Sequence, residues 1–178
     1  MNAARLFLAL EFAAYKHRHQ RRKSGDQAPY INHPITVARI LANVGGVHDE
    51  DVLIAAVLHD TIEDTETTRE ELIAAFGTRV CEYVEEVTDD KSLPKAERKL
   101  RQISHARELS PGATLIKIAD KTANCGDLTH GPPADWSKDR LLEYLDWAEK
   151  VVSQCATVNE AMLTRFHAVV AEGRRLLG

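Results

Sequence analysis

Cysteine is scarce in this chain: Cys81, Cys125 and Cys155 are three among 178 residues, an odd number with no close pair. That excludes a disulfide framework, and free thiols in a reducing compartment are the simplest account. Long apolar runs are missing too. Residues 3–14 are mildly apolar, but Arg5 and Glu11 interrupt them. The stretch is too short and broken to span a bilayer, and it lacks a signal-peptide cleavage pattern. The expected location is cytoplasmic, with no membrane partner. Period-two alternation hardly occurs, which removes the case for a sheet. A positive balance is also absent. The net charge is -4, and basic residues are not interleaved with aromatics, so no nucleic-acid partner is expected. No internal repeat or low-complexity tract is present.

What the chain does have is helical periodicity. With 44% hydrophobic and 28% charged residues, it suits one compact domain with a real core. Leu6, Leu10, Ala13 and His17 predict a first helix over 3–20. Pro34 fits a first helical position before Ile35, Val37 and Leu41. Asp49 caps a helix from Val52 to Asp60, and Thr68 with Glu71 forms a capping box. Gly77 stops that next helix. Pro94 opens a charged helix to about Glu108, and Pro111-Gly112 breaks it. Leu115 to Ala119 form a buried segment ending in Asp120, with a loop expected over 124–135. A long helix follows from Trp136 to about Gln154, then a terminal helix opened by a second capping box, Thr157 with Glu160. The fold class is all-α, a compact multi-helix domain.

The stretch from Leu53 to Asp64 carries the chemistry. An apolar run ends in His59-Asp60, and Glu63 and Asp64 follow one turn later. If the segment is helical, His59 and Glu63 share a face and Asp60 and Asp64 share the next. His33, His59, Asp60 and Asp120 each lie at or near a helix end beside an apolar segment. Two imidazoles and two carboxylates suit Mn²⁺, Fe²⁺, Zn²⁺ or a similar ion, and leave room for water and a phosphate oxygen. The same spacing is compatible with ordinary buried histidines bonded to carboxylates. Glu63 and Asp64 could orient a water, or belong to a solvated acidic loop with Glu66. Arg22 and Lys23 end a basic run just before His33 and could clamp phosphate, or simply solvate a helix end. Lys121 could reach phosphate or neutralise the acids. Asn124 could contact a nucleotide or cap its helix. Trp136 and Tyr144 could line a purine pocket or be ordinary helix packing.

In order, Arg22-Lys23, Tyr30-Ile-Asn-His-Pro34, Leu58-His-Asp-Thr-Ile-Glu-Asp64, Val84-Glu-Glu-Val-Thr-Asp-Asp-Lys91, Lys117-Ile-Ala-Asp-Lys121 and Asn124 resemble the hydrolase domain of the Rel/Spo-type alarmone enzymes. Those enzymes belong to the HD-domain phosphohydrolase superfamily, and the free-standing small alarmone hydrolases match best in size. The likeness covers about residues 5–155. It implies an all-helical fold holding one divalent ion, usually Mn²⁺. It also implies removal of the 3′-pyrophosphate from ppGpp or pppGpp, giving GDP or GTP. On that resemblance His33, His59, Asp60 and Asp120 are the metal ligands, and Glu63 and Asp64 act on the attacking water. Arg22 packs near the base, Lys23 contacts phosphate, and Asn124 lines the nucleoside side. All 178 residues are used as a single hydrolase domain, with no synthetase domain expected. Two positions depart from the pattern. Relatives usually carry a bulky aromatic or histidine before Asn124 and an arginine two residues after it; here stand Ala123 and Gly126. That predicts a loosened nucleotide pocket and keeps open NADPH as substrate through its 2′-phosphate. A different class of alternative is an inactive alarmone-binding regulator. A monomer or weak dimer is expected.

Overall fold

A computed structural model describes residues 2–177. Its elements are α1 (Ala3–Lys16), α2 (Asn32–Asn43), α3 (Glu50–Leu58), α4 (Thr61–Asp64), α5 (Arg69–Phe76), α6 (Thr78–Val87), α7 (Lys95–His105), α8 (Pro111–His130), α9 (Lys138–Gln154) and α10 (Glu160–Leu177), with a 3-10 turn at Ala106–Glu108. Among the described residues the only β pairing is an isolated bridge between Arg21 and Pro29, which closes the loop carrying Arg22 and Lys23. None of these helices is long and apolar enough to cross a membrane. All three cysteines are free.

Two helices form the centre. Every residue of α3 from Val52 to Leu58 is buried, as befits a helix apolar on all sides. Asp49 caps it through the Asp51 amide at 3.1 Å, and α1, α2 and α6 surround it. α8 is the second, enclosed by α2, α3, α6, α9 and α10. Ser110 caps it from the Ala113 amide, and Pro111 opens its first turn. Close approach to α8 requires glycine at two places. A Cβ on Gly112 would meet the Tyr83 ring at 2.6 Å, and one on Gly173 would meet Thr129 Oγ1 at 2.7 Å and Leu145 Cδ1 at 3.1 Å. Gly173→Ala should therefore lower stability by about 1–3 kcal/mol from overpacking, despite alanine's better helix propensity. An unchanged urea midpoint would contradict this close packing.

Several boundaries differ from the sequence reading, each for a local reason. α1 ends at Lys16 rather than residue 20, where His17 leaves the helix and its Nδ1 meets Gln20 Oε1 at 2.7 Å. α2 starts at Asn32, so Pro34 lies two steps further inside the first turn. The Leu53–Asp64 stretch is not one helix. α3 stops at Leu58 and α4 restarts at Thr61, whose hydroxyl donates to the Leu58 carbonyl at 2.6 Å. The last helix is capped by Asn159, whose Oδ1 accepts from the Met162 amide at 3.1 Å, and not by Thr157. α8 runs on to His130, past the loop expected from 124.

Candidate active site

The break between α3 and α4 puts His59 and Asp60 at the end of the central helix and bends Glu63 and Asp64 back over the same point. His33 arrives from the first turn of α2, and Asp120 from the middle of α8. His33, His59 and Asp60 each offer one donor atom within 4.8 Å of the others. Asp60 Oδ2 lies 3.1 Å from His59 Nε2 and 3.8 Å from His33 Nε2. Asp120 Oδ1 closes the other side, 3.1 Å from His33 Nε2 and 3.8 Å from His59 Nε2. The four residues anticipated as a set do converge.

The donor set suits a cation. His59 Nδ1 faces the Ala56 carbonyl at 2.8 Å, which places the proton on Nδ1. Its Nε2 is buried and aimed between the two carboxylates, the arrangement of a metal-ligating imidazole whose other nitrogen is held. Burial opposes charge on His59, yet Asp60 and Asp120 by themselves outweigh it and lift its pKa to about 10, so a proton takes the Nε2 position that a metal ion would displace. For His33 burial prevails over Asp120 and pushes the pKa down. Both carboxylates stay well below the usual range despite burial, Asp60 through His59 and Asp120 through Lys121 and the histidines. The pair of carboxylates thus attracts positive charge to the space between them.

Around this centre lies a polar cavity of about 160 Å³ that also takes in Arg22, Tyr30, Glu63, Asp64, Lys121 and Asn124. Glu63 accepts the Asp89 amide at 2.9 Å. Burial, with Asp89, Asp60 and Asp64 nearby, still raises its pKa to about 7 against that bond. Asp64 is held by the Tyr30 hydroxyl at 3.2 Å and by Lys91. Lys121 is buried, with Nζ 2.9 Å from Asp120 Oδ2 and 4.6 Å above the Trp147 ring. Of its two anticipated roles, the geometry matches neutralising the acid.

Asn124 does not cap α8. It sits mid-helix, donates to Asp120 Oδ1 at 2.6 Å and accepts from Arg22 at 2.8 Å. Arg22 also pairs with Asp127 at 2.7 Å and lies 5.5 Å from the centre of the Tyr30 ring. Beyond this wall a second cavity, of about 360 Å³, is lined by Arg22, Lys23, Asn124, Leu128, Trp136 and Tyr144 among others. Lys23 is exposed here and lines this outer cavity, not the metal cavity. Trp136 and Tyr144 stand 6.1 Å apart as its aromatic wall.

Ala123 and Gly126 line an open cleft between α2, α8 and α10 that adjoins the metal cavity at Arg22 and His33 and the aromatic cavity at Arg22, Ser24, Asp127 and Gly131. On α8 Asp120, Asn124 and Leu128 follow one another at four-residue spacing along one face. Sequence reasoning also passed over three supports. The Tyr30 hydroxyl donates to Asp60 Oδ2 at 2.6 Å, Gln20 donates to the Asp64 carbonyl at 2.6 Å, and Gln102 donates to Asp89 Oδ2 at 2.5 Å. Tyr30 was visible within a motif. Gln20 and Gln102 carried no local signal.

Known proteins place this geometry. The HD domain model matches residues 9–143. The mouse guanosine-3′,5′-bis(diphosphate) 3′-pyrophosphohydrolase MESH1 is 52% identical over 160 residues, covering 90% of this chain and 89% of its own. The Drosophila melanogaster MESH1 is 46% identical over 157 residues, 88% of each. A solved structure described as a metazoan orthologue of SpoT that hydrolyses ppGpp superposes with a TM-score of 0.92 at 43% identity, covering 95% of both chains. A Listeria monocytogenes protein shares the fold with a TM-score of 0.67 at 27% identity over 84% of this chain. A nested set of likenesses, from domain to close relatives, thus converges on one conclusion: the chain belongs to the HD-domain phosphohydrolases, within the group of the MESH1 and Rel/Spo-type alarmone hydrolases.

Proposed function

We propose that this protein is a Mn²⁺-dependent guanosine-3′,5′-bis(diphosphate) 3′-pyrophosphohydrolase, converting ppGpp to GDP, and pppGpp to GTP, with release of pyrophosphate. The observation that carries it is the convergence of His33, His59, Asp60 and Asp120 in a polar cavity that also holds Glu63 and Asp64. Similarity to the MESH1 proteins supplies the substrate class.

The four residues would hold one divalent ion, which when bound supplies Lewis acidity to phosphate oxygens. Everything else is done by the chain. Glu63 and Asp64 orient a water and take its proton. The water oxygen bonds to the phosphorus attached at O3′, the P–O3′ bond breaks, and O3′ receives a proton, leaving guanosine 5′-diphosphate and pyrophosphate. Asn124 and Tyr30 hold Asp120 and Asp60 in place. Arg22, Lys23, Trp136 and Tyr144 bind the nucleoside side, where the cavity of about 360 Å³ is both aromatic and cationic.

The direct test is product analysis with Mn²⁺-loaded protein. ppGpp should yield GDP and pyrophosphate; release of single orthophosphates would overturn the assignment. NADPH and 5′-nucleotides in the same panel should give a much lower kcat/KM. Ala123 and Gly126 lie in a cleft that shares Arg22 and Asp127 with the nucleoside cavity, so the same panel reads whether these small residues relax specificity.

A further inference from the structure

The metal cavity has a second neighbour. Opposite the wall shared with the nucleoside cavity (Arg22, Tyr30, Asp64, Asn124), it shares Val87, Asp89, Gln102 and Lys117 with another chamber of about 230 Å³. That chamber shares no lining residue with the nucleoside cavity. The metal cavity therefore lies between them.

The chamber holds basic side chains with donors that the fold leaves unspent. Lys117 is buried, and its Nζ has one recorded bond, to the Val87 carbonyl at 3.0 Å, out of three available donors. Arg98, on α7, has a buried Nε with no partner. Burial and the nearby Lys121 push the Lys117 pKa down, and a buried donor left unpaired is costly in a folded protein; a neighbouring anion relieves both. The acids of the same chamber are engaged locally. Glu86 accepts from the Ser110 amide and hydroxyl at 2.7 and 2.8 Å, Asp90 accepts from Ser92 at 2.6 Å, and Asp89 accepts from Gln102. Against these donors stands one unpartnered acceptor, Gln102 Oε1, so the balance of unspent capacity is for an anion, with room for a phosphate and its waters.

We propose that Lys117 and Arg98 form a subsite for the terminal phosphate of the 3′-diphosphate, and hold the released pyrophosphate by that end. This deepens the reading above and rests on it for the identity of the substrate. With the nucleoside on one side, the reacting phosphate at the His/Asp centre and the terminal phosphate on the other, the diphosphate is taken as a unit. A monophosphate ester leaves Lys117 and Arg98 unpaired.

The test is calorimetric titration of the full-length protein in excess magnesium, with inorganic pyrophosphate and with orthophosphate as probes. Pyrophosphate should bind at least about tenfold more tightly than orthophosphate, since it adds a charge-assisted contact. Lys117→Met and Arg98→Gln should each remove most of that margin while leaving orthophosphate affinity and metal content unchanged. Arg98→Lys should restore part of it. Should Lys117→Met fail to fold, Arg98→Gln alone decides, because its side chain is only half-buried. Equal affinities for the two anions in the parent, or parental pyrophosphate affinity in folded variants, would overturn the subsite. Intact pyrophosphate selectivity without turnover of ppGpp would uphold the subsite and overturn the substrate reading instead.

Discussion

Glu63→Gln should reduce kcat for ppGpp by about 10²–10⁴-fold, the range of a general base, with bound metal unchanged. Glutamine keeps the size and an oxygen able to accept the Asp89 amide, so what is lost is the ability to take a proton. The same substitution should stabilise the metal-free protein. Glu63 has its pKa raised from 4.5 to about 7 in the folded state, by burial first and then by Asp89, Asp60 and Asp64. A carboxyl shifted upward favours folding below its unfolded pKa, and that favour is lost as pH rises through the folded value. At pH 8 the parent therefore carries a penalty that glutamine lacks, on the order of 2 kcal/mol after allowing for partial exposure. Near pH 4 the two should converge. Thermal unfolding at both pH values checks the sign. In kinetics, the parent's kcat/KM should fall on acidification through a limb between about 4.5 and 7, drawn down from 7 by the nearby ion. A variant as unstable at pH 8 as the parent, or as active, would remove Glu63 from the role of base.

Asp60→Ala should abolish turnover by a different route, through the ion. Its Oδ2 lies within 3.8 Å of both His59 Nε2 and His33 Nε2, so its removal takes away a donor and the charge that offsets the cation. Metal affinity should fall more than 100-fold, beyond the 10–100-fold typical of losing a partner that only orients a ligand. Asn124→Ala supplies that comparison. It removes the bond to Asp120 and the tie to Arg22, and should cost about 10–100-fold in metal affinity or activity. Elemental analysis after dialysis separates the variants: Glu63→Gln loaded, Asn124→Ala weakened, Asp60→Ala empty. Full loading of Asp60→Ala would contradict the proposed ligand set.

The four presumed ligands were legible because each marks a conflict visible in one dimension: an ionisable residue terminating or interrupting an apolar segment. Period and apolar content also sufficed for the helical class. Where the reading failed, the deciding contact was remote or the local signal ambiguous. Asn124 looked like a possible cap because Asn favours helix ends, yet α8 continues to His130 and Asn124 spends its amide on Asp120 and Arg22. Thr157 and Glu160 had the spacing of a capping box, but Asn159 accepts the Met162 amide. Gln102 reaches Asp89 across 13 positions from an exposed-looking charged helix, and no local pattern announces that.

One bond gives the two halves of the centre different mechanical footing. Asp120 projects from the middle of a continuous helix enclosed by five others, so its position is locked by backbone ladders on either side. Glu63 is aligned by the amide of Asp89, which lies in the non-helical connection between α6 and α7. On the proposed roles, ion capture would fall to a stiff frame, and proton removal to a segment whose opening costs far less than unfolding a core helix. Drift of that connection would idle the catalyst while leaving it fully charged with metal. Any ligand that steadies α7 against the 88–94 linker would tune turnover without touching the nucleotide.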